Sequence, residues 1–200
     1  MGADGIELDV HCTADGEVVV MHDETLDRMT NGKGPVASLP LAELKKLTLQ
    51  GGEPIATLSE ALRVVGKRAL VYVEVKRAQD AVAAAKVLDK HIAQGWDSKK
   101  LWLISFAHAG LKEAQEAVPK LLIGASLKQC EPSSVADAKA LGARAVLPAY
   151  RTVTREFVAQ AHAQGLEVIV WTVNTPQDIA RMRELGVDGI ISDYPDRVLP

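Results

Sequence analysis

Glu7 and Asp9 stand two residues apart in Gly5-Ile6-Glu7-Leu8-Asp9-Val10, a β-branched and apolar run that reads as a strand, so both carboxylates share one face. Glu74 and Lys76 repeat the spacing at the end of Leu70-Val71-Tyr72-Val73-Glu74-Val75-Lys76. Ionised carboxylates gathered at the end of a sheet repel one another, and a bound cation or proton uptake relieves the repulsion. An all-oxygen ligand set of Glu7, Asp9 and Glu74 suits a hard divalent ion, magnesium or calcium, better than zinc. Lys76 would face an anionic substrate as a point charge. The plainer alternatives are solvated acids on an edge strand and a surface ion pair. The apolar neighbours Ile6, Leu8 and Val10 favour the cation.

His22 and Asp23 follow the run Val18-Val19-Val20-Met21, which puts an imidazole just past a strand end. Alone, such a pair is more commonly a cap or a core histidine than a general acid or base. His91, His108 and His162 fall in or beside amphipathic helices and read as solvated, while His11 continues the face of Glu7 and Asp9 as a neighbour of the site. Trp171 ends the run Val168-Ile169-Val170 and reads as a pocket wall or as core packing.

These side chains need a scaffold, and the chain alternates β-branched runs with Ala- and Leu-rich helical segments, the pattern of a parallel sheet wrapped in helices. The runs are 5–10, 70–75, 101–105, 121–125, 145–147, 167–171 and 189–192. Helices are expected over 78–94, 107–118, 133–141, 155–164 and 177–185, with a capping box at Thr57 and Glu60, an N-cap at Thr154, and Pro132 and Pro176 in early helical positions. The fold class is therefore α/β, a TIM-type barrel with seven of eight parallel strands. The stretch from His11 to Thr57 reads as an insertion on the barrel mouth, with an inserted loop subdomain at about 23–57 in a single domain spanning 1–200.

An internal echo bears on the eighth strand. Leu141-Gly142-Ala143-Arg144-Ala145 and Leu185-Gly186-Val187-Asp188-Gly189 each join a helix to a strand through a C-cap glycine, and Met1-Gly2-Ala3-Asp4-Gly5 has the same form. One βα unit of about 25–30 residues is thus expected upstream of Gly2.

Composition bounds the partners. The 200 residues carry a formal charge of −3, with no basic excess to neutralise a nucleic acid. Aromatic residues are only 4% of the chain, and Cys12 and Cys130 lack the spacing of a thiolate site. No apolar run suffices to span a bilayer and no signal-peptide layout opens the chain, so a cytoplasmic location is the default; a leader in a preceding segment would change it.

Read together, the opening Gly2 to Val10, the phrase Asp15 to Arg28, Thr30-Asn31-Gly32, Glu74-Val75-Lys76, Trp171-Thr172-Val173-Asn174 and Gly186 to Pro195 resemble the glycerophosphodiester phosphodiesterase family. The resemblance spans essentially the whole chain, and the order and spacing of its phrases are specific. It implies hydrolysis of glycerophosphodiesters to sn-glycerol 3-phosphate and an alcohol. It matches Glu7, Asp9 and Glu74 to metal ligands, His22 to one of two acid/base histidines, Lys76 to a basic residue near the phosphate, and 23–57 to the subdomain enclosing the glycerol end. The His-Arg-Gly and Glu-Asn-Thr phrases that open the family have no counterpart here. Three further readings follow: a truncated, catalytically impaired metal- or phosphate-binding fragment, a glycosidase using Glu7 and Glu74, and association through open barrel edges.

Overall fold

A computed structural model describes residues 2–198; the methionine of the Met1-to-Gly5 phrase lies outside them. Eight strands run along the chain: β1 (Gly5–Cys12), β2 (Val18–Val20), β3 (Leu70–Val75), β4 (Leu101–Ser105), β5 (Leu122–Leu127), β6 (Ala145–Pro148), β7 (Glu167–Val170) and β8 (Gly189–Ile190). They form one curled sheet in the order β2-β1-β3-β4-β5-β6-β7-β8. Every neighbouring pair is parallel except β1 with β2. Seven strands thus form the parallel body of a TIM-type barrel, and among the described residues β8 does not pair with β1.

The helices are α1 (Leu41–Leu44), α2 (Leu58–Val65), α3 (Ala81–Ala93), α4 (His108–Ala117), α5 (Ser134–Leu141), α6 (Arg155–Ala163), α7 (Pro176–Leu185) and α8 (Pro195–Val198). The five long helices after β3 match the expected segments to within a few residues. Thr57 and Glu60 close a reciprocal capping box on α2, Thr154 caps α6, and Pro176 opens α7. Pro132 lies ahead of the α5 N-cap, Ser133, rather than inside the helix. Gly142 and Gly186 end α5 and α7 in the left-handed conformation, at φ +83° and +79°. Gly2 shares that conformation at φ +80°.

Two apolar layers follow from strand alternation. One face packs beneath the helices, with Val71, Val73, Leu101, Leu103, Ile123, Val146 and Val168 against Ala84, Leu88, Leu111 and Phe157. The other fills the barrel with Trp102, Ile104, Ala145, Leu147 and Ile169. A third cluster, Val19, Met21, Leu26, Val36, Leu44 and Ile55, lies under the loops between β2 and α2.

Two expectations need correction. His11 and Cys12 belong to β1 rather than to an insertion, because β2 pairs with them antiparallel and extends the strand as a hairpin. β5 continues through Ser126 and Leu127, past the expected end at Ala125, because its partner β6 pairs as far as Leu127 with Pro148.

Candidate functional site

Parallel register brings the acids together. Asp9 pairs with Glu74 across β1 and β3, while Glu7 pairs with Tyr72, one layer deeper in the barrel. One oxygen of each of Glu7, Asp9 and Glu74 lies within 4.8 Å of the others. Lys76 Nζ donates to Asp9 Oδ1 and to Glu74 Oε1, each at 2.5 Å. One ammonium thus serves two carboxylates and leaves the third without a partner. Glu7 Oε1 is buried and, among the described residues, has no hydrogen-bond partner.

The electrostatics follow from that shortfall. Burial, reinforced by Asp9 and Glu74 and only partly offset by Lys76, pushes the Glu7 carboxyl up to about 8. Burial also raises Glu74, against the pull of Lys76. Burial alone would lower Lys76, but its bonds to Asp9 and Glu74 outweigh that and hold it above the ordinary lysine range. An orphaned buried carboxylate oxygen beside two further oxygens is what a hard divalent cation would satisfy, so the donor set fits magnesium or calcium.

His22 stands at the rim, its side chain 65% exposed. Its Nδ1 donates to Asp23 Oδ1 at 2.8 Å, and Arg28 donates to both Asp23 oxygens at 2.7 Å. Those bonds, Arg28 first, hold Asp23 well below the usual carboxylate range. An ionised Asp23 takes the Nδ1 proton as acceptor, which leaves the neutral imidazole's lone pair on Nε2. His11 is buried at 2% exposure, with Nε2 donating to the His22 carbonyl at 3.4 Å, and burial lowers its pKa. It backs the site without opening onto solvent.

Trp171 forms a single bridge with Ala149 just beyond β7. Its indole N–H donates to the Leu147 carbonyl at 2.7 Å, which takes up the ring's one polar group. Phe106 meets it edge to face, with ring centroids 5.5 Å apart. Sequence reasoning did not single out Phe106; its signal is a lone aromatic directly after the apolar strand β4.

Of the other histidines, His91 is buried and bonded to Ser59, and His162 pairs with Asp188. His108 reaches the Ser126 carbonyl at the end of β5 at 3.1 Å. Buried His91 departs from the solvated reading, because α3 turns that face onto α2. Both cysteines are free; burial and the neighbouring Asp80 push the Cys12 thiol up to about 12.

Residues 1–197 match the glycerophosphoryl diester phosphodiesterase family. A glycerophosphodiester phosphodiesterase of Caldanaerobacter subterraneus subsp. tengcongensis is 37% identical over 211 residues, covering 100% of this chain and 86% of the relative. One from Bacillus subtilis is 34% identical, covering 98% and 75%. Among solved structures, an Oleispira antarctica phosphodiesterase in complex with the product sn-glycerol-3-phosphate superposes with a TM-score of 0.89 at 25% identity, covering 98% of this chain and 84% of that one. A glycerophosphodiester phosphodiesterase from Parabacteroides distasonis gives 0.84 at 29%, covering 98% and 82%. With curled sheet and sequence match in accord over nearly its whole length, the chain belongs to the glycerophosphoryl diester phosphodiesterase family.

Proposed function

We propose that this chain hydrolyses glycerophosphodiesters to sn-glycerol 3-phosphate and an alcohol, using a divalent cation held by Glu7, Asp9 and Glu74. The observation that carries the reading is the acidic triad itself: three carboxylates, of which one lysine serves two, with Glu7 Oε1 buried and orphaned. Family membership and the likeness to a phosphodiesterase bound to sn-glycerol-3-phosphate supply the substrate class.

The cation, magnesium or calcium, would supply Lewis-acid neutralisation of the phosphodiester charge. Lys76, bonded to Asp9 and Glu74, would add its own positive charge beside the phosphate. His22, its Nδ1 held by Asp23, presents Nε2 to accept the proton of the glycerol 2-hydroxyl as it attacks phosphorus; the P–O bond to the alcohol breaks, the alcohol leaves with a proton from solvent, and water then opens the cyclic phosphate to sn-glycerol 3-phosphate. Trp171 and Phe106 wall the pocket. The loops over residues 23–57, with their own apolar cluster, form a subdomain that encloses the glycerol end.

A glycosidase reading fits less well. Lys76 ties up Glu74, one of the two carboxyl groups that such a mechanism needs.

The test is release of sn-glycerol 3-phosphate from glycerophosphodiesters, with and without added magnesium or calcium, in the native chain, Glu7→Gln and His22→Ala. Turnover should require the cation and be lost in Glu7→Gln. His22→Ala should lower kcat by about 10²- to 10⁴-fold with cation uptake intact. Cation uptake with no turnover would instead favour a metal- or phosphate-binding role, and turnover unaffected by chelator would sink the assignment of the triad.

A further inference from the structure

The barrel mouth has a second side, across from the acids. On β5, Leu122, Gly124 and Ser126 share the face that turns into the barrel, where Leu122 packs with Trp102, Ile104 and Leu147. Gly124 lies beneath Ser126, and a Cβ there would meet Leu147 Cδ1 at 2.5 Å and Ile104 Cγ2 at 3.1 Å, so these two side chains close the floor. Ser126 is 3% exposed, and among the described residues its Oγ has no hydrogen-bond partner. A buried hydroxyl without a partner is costly unless something else bonds it.

The surroundings of Ser126 are those of a wall. Ser105 pairs with Ala125, so the next residues, Phe106 and Ser126, are neighbours along the sheet. Phe106 in turn meets Trp171 edge to face. Lys128, two residues beyond Ser126 and exposed, holds its ammonium 6.0 Å from the Phe106 ring centroid.

Resting on the phosphodiesterase reading above, we propose that Ser126, Lys128 and the Phe106–Trp171 pair form the subsite for the leaving alcohol, and that it selects an uncharged polyol headgroup over a cationic one.

Position and charge support this. The acids and Lys76 lie on and just after β1 and β3, the loops over the glycerol end follow β2, and the wall occupies the opposite flank from β4 to β7. A phosphodiester anchored at Lys76 therefore directs its second ester arm toward Ser126. Exposed aromatic faces ordinarily attract choline or ethanolamine cations. Here the Phe106 face already has an ammonium beside it, and a second cation would be repelled. A neutral polyol meets no such penalty, can stack a C–H face on the rings and can satisfy Ser126 Oγ with a hydroxyl. Trp171 cannot supply that bond, because its N–H is spent on Leu147.

The experiment compares glycerophosphoglycerol with glycerophosphocholine in the native chain, Ser126→Ala and Lys128→Glu, by steady-state kinetics and by calorimetric binding. The native chain should prefer glycerophosphoglycerol in kcat/KM. Ser126→Ala should cut that preference by about 2- to 10-fold, the worth of one neutral hydrogen bond, mainly through KM. Lys128→Glu should move it toward glycerophosphocholine. Among the described residues Ser126 Oγ bonds nothing, so Ser126→Ala should melt at or above the native temperature. Equal use of both diesters, or a preference untouched by both variants, overturns the subsite while leaving the phosphodiesterase intact. Failure to bind or hydrolyse either diester overturns the phosphodiesterase reading, and the subsite with it.

Discussion

At the scale of single residues, the site is short of positive charge, and the shortfall has a pH signature. Glu7 titrates near 4.5 when unperturbed and at about 8 in the fold, chiefly because it is buried. Between those values the folded chain keeps a proton that the unfolded chain has released. Glu7's contribution to the stability of the metal-free protein should therefore be greatest below about 4.5 and fall as pH rises to about 8. Urea midpoints measured from pH 5 to 9 in chelator should show the decline, and Glu7→Gln should flatten much of it; an unchanged slope in the variant would place the proton elsewhere. The same acid predicts proton release on cation binding. At pH 7 Glu7 is largely protonated in the metal-free fold, and a cation needs the carboxylate. Titration calorimetry in two buffers of different ionisation enthalpy should find proton release that is lost by pH 9, and equal heats in both at pH 7 would argue against Glu7 as a ligand.

At the scale of elements, the site depends on how β1 and β3 are held in register beyond their hydrogen bonds. Asp80, 2% exposed, takes both Arg77 guanidinium bonds, at 3.0 and 2.8 Å, and accepts from the Cys12 backbone N–H at 3.3 Å. It therefore ties the end of β1 to the segment leaving β3, just past Asp9 and Glu74. Asp80→Ala strands a buried N–H and a partly buried guanidinium and should cost about 3 kcal/mol, the low end for breaking a buried pair because Arg77 is 26% exposed. Asp80→Asn keeps an acceptor for Cys12 and should recover part of that loss in chemical denaturation; equal losses would mean that the charge alone matters. The strands themselves were legible because Val, Ile and Leu runs carry the pattern, as were the helices, whose starts at Thr57, Thr154 and Pro176 are written in their caps. The pairing of Glu7 with Asp9 was legible from two-residue spacing. The depth of Glu7 was not, since it follows from β1 pairing Glu7 with Tyr72 and Asp9 with Glu74. Ser126 was hidden for a related reason. Gly124 and Ala125 weaken the strand signal in front of it, and only the fold shows that Leu147 and Ile104 need the space a side chain at 124 would fill.

At the scale of the whole molecule, the curled sheet leaves two strand edges to consider. Among the described residues, β8 pairs only with β7, and the Gly5–Leu8 part of β1 pairs only with β3. Unpaired N–H and C=O groups on an edge template association with another strand, unless the edge is short, charged or covered. β8 is two residues long and thus a poor template. β1 is eight residues long, and Ile6 is 39% exposed on it. Its acids do not protect the edge, because Glu7 and Asp9 point into the barrel mouth and Lys76 binds Asp9. The chain should therefore self-associate through β1 over roughly micromolar to millimolar concentrations, where exposed edges become sticky. Light scattering coupled to size exclusion would read the mass as concentration rises. Ile6→Lys puts a charge on the exposed face of that edge and should shift the distribution toward monomer while leaving cation binding at Glu7, Asp9 and Glu74 in place. A native chain that stays monomeric across the whole range would mean that the β1 edge is covered in solution, and the mutation would then change nothing.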